Sequence, residues 1–165
     1  MNDRRSFLGL SGAAGVSLLL FGRSPNANAA TRFAVNHTPA EWKKILGPKR
    51  YPILREAATE RAFTSPLLEE HRKGIFACGG CALPLFGSAA KFDSGTGWPS
   101  FWKALPNAVA YRRDLTLGMA RTEEHCRRCG GHLGHVFDDG PPPTGKRHCI
   151  NGLSLTFRPE LSRRA

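Results

Sequence analysis

The sequence is short of acidic residues and of long apolar runs. It has 13 acidic against 24 basic side chains, which gives a net charge of +11 over 165 residues. Its main apolar stretch, residues 9–21, is shorter than the roughly 20 residues that a membrane-spanning helix requires. No internal repeat, low-complexity tract or second domain is evident. These absences argue against a membrane-spanning anchor and favour a single domain.

The first thirty residues predict an export signal. Arg4 and Arg5 precede the apolar stretch, an arrangement that resembles a twin-arginine signal. The alanine-rich segment 26–30 offers an A-x-A cleavage site, most simply after Ala29. We therefore expect a signal peptide over residues 1–29 and one domain over residues 30–165, in a periplasmic protein without stable membrane insertion after cleavage. An uncleaved signal anchor is the alternative.

The five cysteines divide into two pairs and one single residue. Cys78 and Cys81 form one C-x2-C turn, and Cys126 and Cys129 form the other. Two such turns supply the four thiolates of a closed tetrahedral zinc shell, so we predict one structural zinc ion. The twin-arginine route carries folded proteins, which would let this site assemble in the reducing cytoplasm. Two short disulfides or a redox-active C-x-x-C are the alternatives.

Helices are predicted early in the domain and strands after residue 74. The capping-box order of Thr38 to Glu41 predicts a helix over 39–46, and a second helix is expected over 51–58. The residues expected to face inward are Trp42, Ile45, Leu46, Ile53 and Leu54. Short aromatic and β-branched runs predict strands at 75–77, 83–86, 109–112, 119–122, 133–137 and 148–157. Hairpin-sized connections favour antiparallel sheets, so the expected class is mainly β with short N-terminal helices and a zinc clip made of four cysteines.

Cys149 is the candidate nucleophile, because it is the one cysteine outside the two pairs. If residues 147–157 are extended, Arg147, Cys149 and Asn151 point to one face of the strand. A neighbouring guanidinium and a hydrogen-bond donor favour the reactive thiolate over the thiol. The alternative is an inert, buried cysteine that packs as a small hydrophobic residue.

A second polar cluster follows the second C-x2-C turn and contains His132, His135 and Asp139. Strict strand alternation would put the two histidines on opposite faces. Both can reach one site only if Gly134 lies at a bulge or His132 lies in the turn. An imidazole beside a thiolate could pass a proton to an oxygen during nucleophilic attack.

Two tryptophans, Trp98 and Trp102, follow a glycine-containing segment that permits tight turns. One of them could line a methyl-sized apolar pocket. For Trp102 the simpler expectation is core packing with its indole N–H satisfied.

Taken together, these motifs resemble the methionine-R-sulfoxide reductases, the MsrB family. The resemblance rests on the two C-x-x-C turns and on KFDSGTGWPSFW, CGGHLGHVFDDGP and RHCIN, and it spans about Glu41 to Arg158. It implies a β-rich fold of two antiparallel sheets and a structural zinc far from the active site. It also implies thiol-dependent reduction of the R epimer of methionine sulfoxide, free or in proteins, as repair of oxidised methionine. The residues that match the family's active site are Cys149, Trp98, His132, His135, Asp139, Arg147 and Asn151.

The resemblance also implies roles for these residues. The Cys149 thiolate would attack the sulfoxide sulfur, and His135 or His132 would protonate the leaving oxygen, which leaves a cysteine sulfenic acid. Trp98 would accept the methyl group of the substrate. Arg147 would support the thiolate, while Asn151 and Asp139 would hold polar partners in register.

Two positions depart from the family pattern. Many members carry a resolving cysteine where this chain has Thr96, so we expect an external thiol reductant, such as a thioredoxin-like protein or a small thiol. His148 stands where an aromatic residue is usual. A monomer is expected.

Two other functions remain open from the residues alone. An exported zinc-binding thiol-disulfide oxidoreductase could use a C-x-x-C pair chemically, although that motif normally opens a helix in a βαβ unit. A basic zinc module could bind nucleic acid. Because the basic residues are scattered and export is expected, we predict no nucleic-acid partner.

Overall fold

The computed structural model describes residues 33–161, which form one helix and two antiparallel sheets. Helix α1 spans Pro39–Glu56. The strands are β1 Gly74–Cys78, β2 Pro84–Gly87, β3 Lys91–Phe92, β4 Ser100–Phe101, β5 Val109–Asp114, β6 Arg121–Cys126, β7 His132–Phe137, β8 Arg147–Ile150 and β9 Leu155–Pro159. One sheet has the order β2-β1-β9, and the other has the order β3-β4-β8-β7-β6-β5. The predicted class, mainly β with two antiparallel sheets, is confirmed.

Helix α1 begins at the predicted capping box. The Thr38 hydroxyl accepts a hydrogen bond from the backbone N–H of Glu41, and the Glu41 carboxylate accepts one from the backbone N–H of Thr38 at 2.7 Å. The two predicted helices are joined in this one element, with a kink at Gly47. The φ of 66° at Gly47 lies in the left-handed region, which glycine adopts without steric cost.

The inward face of α1 agrees with the prediction at four of five positions. Trp42, Leu46, Ile53 and Leu54 are buried, whereas the prediction for Ile45 was wrong, because its side chain is 53% exposed. Trp42 and Leu46, one helical turn apart, form the buried stripe of the first half of α1. Ile45 lies beside that stripe and faces away from the core.

Aromatic side chains join the two sheets in the core. Phe86 of β2 stacks on Phe101 of β4, with ring centroids 4.4 Å apart and ring planes 12° from parallel. Phe76 of β1 meets Phe101 edge to face at 5.0 Å. Since all three rings are fully buried, this contact fixes the three-stranded sheet against the six-stranded sheet that carries Cys149.

His148 fills the position where the family resemblance led us to expect an aromatic residue. Its ring is buried and lies 5.7 Å from the ring of Phe86. Its Nδ1 is 2.8 Å from a carboxylate oxygen of Glu124, which is fully buried. A polar ring is tolerated on this inner face because the Glu124 carboxylate satisfies it.

The last predicted strand is in fact two strands in different sheets. Strand β8 ends at Ile150, a 3-10 turn covers Gly152–Ser154, and β9 continues in the three-stranded sheet. The Asn151 amide holds this turn by donating to the Leu133 carbonyl at 3.0 Å. A Cβ at Gly152 would collide with the Ser65 side chain, so the turn also depends on glycine. The Asn151-Gly152 dipeptide was the available turn signal, and the prediction of one strand over 148–157 passed over it.

The predicted signal peptide, residues 1–29, lies outside the described residues. Within residues 33–161, no helix combines the length and apolar character needed to cross a membrane.

Candidate active site

A single row of paired residues crosses the six-stranded sheet at Cys149. In the strand register, Cys149 of β8 lies opposite His135 of β7 on one side and opposite Ser100 of β4 on the other. His135 in turn lies opposite Glu123 of β6, which lies opposite Arg112 of β5. Directly paired residues project from the same face of a sheet. The register therefore sets the thiol beside an imidazole and a hydroxyl.

Cys149 opens into a cavity of about 120 Å3. The predicted site residues that line it are Trp98, His135, Cys149 and Asn151, and the other lining residues are Thr59, Arg121, Gly134 and Phe137. The volume suits a small group such as the end of a side chain. A second cavity of about 610 Å3 shares Thr59, Arg121 and His135 with the first, so the small cavity continues into a wider groove.

Burial controls the ionisation of Cys149. Loss of solvent raises the pKa of the Cys149 thiol, while the Thr96 hydroxyl and then the Arg147 guanidinium act to lower it. The sequence predicted a neighbouring cation and a hydrogen-bond donor that favour the thiolate, and both are present, but the effect of burial is larger. Burial therefore favours the thiol form of Cys149 over the thiolate.

His135 lies opposite Cys149 in the strand register, and two charged residues of the β5–β6 hairpin, Asp114 and Arg121, lie on its other side. Its Nε2 lies 2.7 Å from Oδ2 of Asp114, which also accepts a hydrogen bond at 2.7 Å from Nη2 of Arg121. Burial lowers the pKa of His135, and the hydrogen bond to Asp114 opposes that effect. The Thr116 hydroxyl and N–H, followed by His135, hold the pKa of Asp114 well below its usual range. Asp114 thus stays ionised and fixes the orientation of the imidazole.

His132 is more deeply placed than His135. It is 4% exposed, and its Nδ1 lies 2.7 Å from Oε1 of Glu123, a carboxylate that Arg112 also binds through two nitrogens. Burial, and then the Arg112 charge, lowers the pKa of His132 to about 4. Because Arg112 shares the Glu123 charge, the carboxylate does not force a proton onto the ring. His132 is neutral at pH 7.

A bulge brings the two histidines to the same side of the sheet. Glu124 of β6 pairs with Gly134, but the next residue of β6, His125, pairs with His132, so β7 carries one extra residue there. The rings of His132 and His135 are 5.6 Å apart as a result. Gly134 is required in this segment because a Cβ would collide with the Cys149 carbonyl. The sequence reasoning named this irregularity as the condition for both histidines to share a site.

Arg147 and Asp139 form an ion pair at the edge of the site. The Arg147 Nε and Nη2 each donate to one oxygen of the Asp139 carboxylate at 2.8 Å. The guanidinium lies 4.3 Å from the centroid of the Phe137 ring, which lines the Cys149 cavity. The Asp139 side chain is 62% exposed and acts on Cys149 through Arg147 rather than through the cavity itself.

Asn151 and Trp98 are fixed by the same short segment, which contains Glu60. The Asn151 carbonyl oxygen accepts a hydrogen bond from the Glu60 N–H at 2.8 Å, and its amide nitrogen donates to Leu133. The Trp98 indole N–H donates to the Glu60 carbonyl at 2.9 Å. With its amide hydrogen-bonded at both ends, Asn151 holds the site together, and Trp98 presents its ring as an apolar wall.

The remaining four cysteines form one cluster. The Sγ atoms of Cys78 and Cys129 are 3.7 Å apart, those of Cys81 and Cys126 are 3.5 Å apart, and all four sulfurs lie within 4.8 Å of one another. Sulfurs about 2.3 Å from a tetrahedral zinc ion would be separated by about 3.8 Å, so the cluster fits a metal shell. None of the five cysteines is in a disulfide. Since Cys78 ends β1 and Cys126 ends β6, the cluster links the two sheets.

Sequence reasoning missed the residues that support the histidines. They are Arg112, Asp114, Arg121 and Glu123, and Thr59 at the cavity wall was also missed. Each looks like an ordinary surface residue in the linear sequence. The register pairs Arg112 with Glu123 and Asp114 with Arg121, so opposite charges facing across a β5–β6 hairpin were the available signal.

Comparison with known proteins identifies the family of this chain. The SelR domain family matches residues 46–159. The chain is therefore a SelR-domain protein. Proteins named "Peptide methionine sulfoxide reductase MsrB" are 58% identical over 124 residues in Thiobacillus denitrificans (74% of this chain, 94% of that protein) and 55% identical over 126 residues in Agrobacterium fabrum (76% and 93%). One from Methanosarcina barkeri is 49% identical over 128 residues (77% and 90%).

The chain belongs to the MsrB family of peptide methionine sulfoxide reductases, and it is an enzyme of the oxidoreductase class. The alternative thiol-disulfide oxidoreductase is not favoured, because both C-x-x-C pairs enter one four-sulfur cluster and each pair begins at the end of a β strand instead of opening a helix.

Proposed function

We propose that this enzyme reduces the R epimer of methionine sulfoxide, with Cys149 as the nucleophile. The observation that carries the proposal is the pairing of Cys149 with His135 across β7 and β8, inside a cavity walled by Trp98. The ring of Trp98 suits the substrate methyl group, since an apolar wall excludes water from it. Because one small cavity is lined by both polar groups and an aromatic ring, we expect it to accept the two epimers of a sulfoxide unequally.

The chemistry begins with ionisation of the Cys149 thiol. The Cys149 thiolate attacks the sulfoxide sulfur, and a protonated imidazole, that of His135 or, less readily because its pKa is lower than usual, that of His132, gives its proton to the sulfoxide oxygen. In the adduct, the bond between the substrate sulfur and the hydroxyl oxygen breaks as that oxygen bonds to the Cys149 sulfur, and the sulfur–sulfur bond breaks to release methionine, so the sulfoxide is reduced and Cys149 is oxidised to a sulfenic acid. His135 is the better placed donor of the two, because it lines the Cys149 cavity while His132 lines only the adjoining groove. The hydrogen bond to Asp114 stabilises the charged ring before transfer.

Reduction of the Cys149 sulfenic acid back to the thiol requires a reductant from outside the chain. The other four cysteines occupy one cluster, and Thr96 stands beside Cys149 at 3.8 Å where a resolving thiol would be needed. One external thiol would attack the sulfenic acid and release water, and a second would free Cys149 and leave as a disulfide. A thioredoxin-like protein or a small thiol can supply both equivalents.

Zinc is the metal that best suits the four-cysteine cluster. Four thiolates at tetrahedral spacing favour zinc and leave no position for water, which assigns the ion a structural role. Cys78, Cys81, Cys126 and Cys129 would hold it.

An epimer-resolved assay tests the proposed reaction. Purified protein is given the R and S sulfoxides of an N-acetylated methionine separately, with dithiothreitol as the reductant, and methionine product is measured. We expect turnover of the R epimer at a rate at least about a hundredfold above that of the S epimer. The S epimer is the matched control on the same enzyme. Equal rates, or turnover of S alone, would contradict the proposal.

Export by the twin-arginine route is proposed from the sequence of residues 1–29 alone. In a bacterium that has this route, we expect the protein in the periplasmic fraction, with the mass of a chain that begins at Ala30. Changing Arg4 and Arg5 together to lysine should retain it in the cytoplasm at its full mass. The change of another adjacent pair, Arg163 and Arg164 to lysine, is the matched control for loss of two guanidinium groups. Unaltered export of the Arg4 and Arg5 variant would remove the support for this route.

A further inference from the structure

Three hydroxyl groups form a continuous hydrogen-bonded chain that starts at the nucleophile. The Cys149 Sγ is 3.8 Å from the Thr96 Oγ1, which is 2.8 Å from the Ser94 Oγ. The Ser94 Oγ is 2.7 Å from the Ser100 Oγ, and the Ser100 hydroxyl reaches the Trp98 carbonyl oxygen at 3.1 Å. The chain therefore joins the proposed nucleophile to the backbone of the residue that walls its cavity.

The direction of every hydrogen in this chain follows from counting donors. Each hydroxyl has one hydrogen, and a carbonyl oxygen can only accept. Ser100 donates its hydrogen to the Trp98 carbonyl, so Ser94 must donate to Ser100. Thr96 must then donate to Ser94, which leaves it no hydrogen for Cys149. The remaining contact requires the S–H of Cys149 to donate to Thr96.

Ionisation of Cys149 must reverse this order. A thiolate has no hydrogen and accepts only, so the Thr96 hydroxyl has to turn toward the sulfur. Ser94 then donates to Thr96, Ser100 donates to Ser94, and the Trp98 carbonyl loses its hydrogen bond from Ser100. The proton of the thiol leaves to solvent, because the chain ends on a carbonyl, which is not a base. The Trp98 indole keeps its separate hydrogen bond to Glu60.

We propose that Thr96, Ser94 and Ser100 act as a directional hydroxyl chain that accepts the hydrogen of the Cys149 thiol at rest and reverses as a unit, to donate to the sulfur, when Cys149 ionises. Ser94 and Ser100 are positioning residues, since they act on the sulfur only through Thr96. Ser100 is fully buried and lies opposite Cys149 in the strand register, which keeps water from replacing its bonds. The proposal rests on the proposed function in taking Cys149 as the nucleophile.

Because ionisation of Cys149 must reverse the chain, we expect substitutions at its two ends to have opposite effects on that ionisation. Thr96→Val removes the donor to the thiolate, so ionisation becomes harder. Ser100→Ala removes the bond to the Trp98 carbonyl that ionisation must break, so ionisation becomes easier. Ser94→Ala disconnects Thr96 from the hydrogen bond between Ser100 and the Trp98 carbonyl, so it should also make ionisation of Cys149 easier. Residues that served packing alone would not divide in this way.

The charged groups around Cys149 are common to all these variants. They are Arg147 on the same strand, Asp139 paired with it, His135 on β7, and Arg121 at the cavity wall. None of them is in the hydroxyl chain. A difference between variants therefore reports the hydroxyls.

The test is the pH dependence of Cys149 alkylation in the full, metal-loaded protein. Iodoacetamide modification of Cys149 is followed by peptide mass spectrometry from about pH 6 to about pH 10, a range that spans the ordinary thiol pKa. Loss of one hydrogen bond to a charged group should lower the rate at pH 7 about tenfold in Thr96→Val, with a higher titration midpoint. Ser100→Ala and Ser94→Ala should raise the rate about threefold or more, with a lower midpoint. Thr96→Ser keeps the hydroxyl and should titrate like the unaltered protein.

Two variants outside the six-stranded sheet, one in β9 and one in the turn that follows β2, are matched controls. Thr156→Val and Ser88→Ala remove the same hydroxyl groups from positions bonded to Ala77 and Gly74, and neither should change the alkylation profile. If the serine variants shift the midpoint upward with Thr96→Val, or do not shift it, the directional chain is wrong. If Ser100→Ala does not fold, Ser94→Ala gives the same test. Alkylation needs no sulfoxide, so loss of the proposed function and loss of the chain are distinguished.

Discussion

Cys149→Ser is expected to abolish reduction of methionine sulfoxide. A serine hydroxyl is hardly ionised near neutral pH and is a far weaker nucleophile toward sulfur, so turnover should fall at least about a thousandfold. The measurement is methionine product per enzyme with the R sulfoxide and dithiothreitol in excess. Residual activity within about tenfold of the unaltered enzyme would show that another group attacks the substrate.

The control for this substitution is the fold. Cys149 is only half-buried and lies outside the four-sulfur cluster, so the serine variant should keep its metal content and its melting temperature within a few degrees. Cys149→Ala serves as a second variant without any hydroxyl. A single turnover without reductant should give one methionine per unaltered enzyme and leave Cys149 heavier by one oxygen, which mass spectrometry can detect.

Loss of the metal is expected to unfold the protein. Structural zinc in a four-thiolate site contributes on the order of 10 kcal/mol in apparent terms, comparable with the roughly 5–15 kcal/mol net stability of a whole domain. Three of the ligands, Cys78, Cys126 and Cys129, are buried in the main core beside Trp42 and Leu46. Without the metal, four thiols would crowd into that space and the two sheets would lose their link.

Cys126→Ser and prolonged chelation should each show this effect. We expect the variant to lose its bound zinc, to lose the cooperative thermal transition, and to lose activity although Cys149 is unaltered. Zinc restored to chelated protein under reducing conditions should recover the transition, and Cys149→Ser is the control for a cysteine whose loss leaves metal binding intact. A metal-free protein with an unchanged melting temperature would refute a structural role for the ion.

The features of this enzyme that depend on residues close together in the sequence could be predicted. The capping box placed the start of α1, the two C-x2-C turns identified the cluster, and the single remaining cysteine identified the candidate nucleophile. Prediction failed where distant segments decide. Ile45 fits a helical apolar pattern but faces outward, and the two halves of the predicted strand 148–157 join different sheets through pairing with the distant strands β7 and β1.

The charged residues that support the histidines were missed for a related reason. Asp114 and Arg121 gain their roles only because β5 and β6 pair them beside His135. The influence of Arg147 on Cys149 was predicted in sign but not in rank. Burial depends on the whole surrounding fold and outweighs a neighbouring charge.

The sequence by itself determined the division of the cysteines into two pairs and one single residue, the mainly β class, and the set of residues able to do the chemistry. It could do so because residue type fixes which donor atoms are present, and short spacing fixes the local backbone preference. Tertiary structure alone decided which of them meet. The register of β4, β8, β7 and β6, with the bulge at His132 to Gly134, set the distances and the burial that govern proton position at Cys149. Those quantities arise between segments far apart in the chain, so no local pattern can encode them.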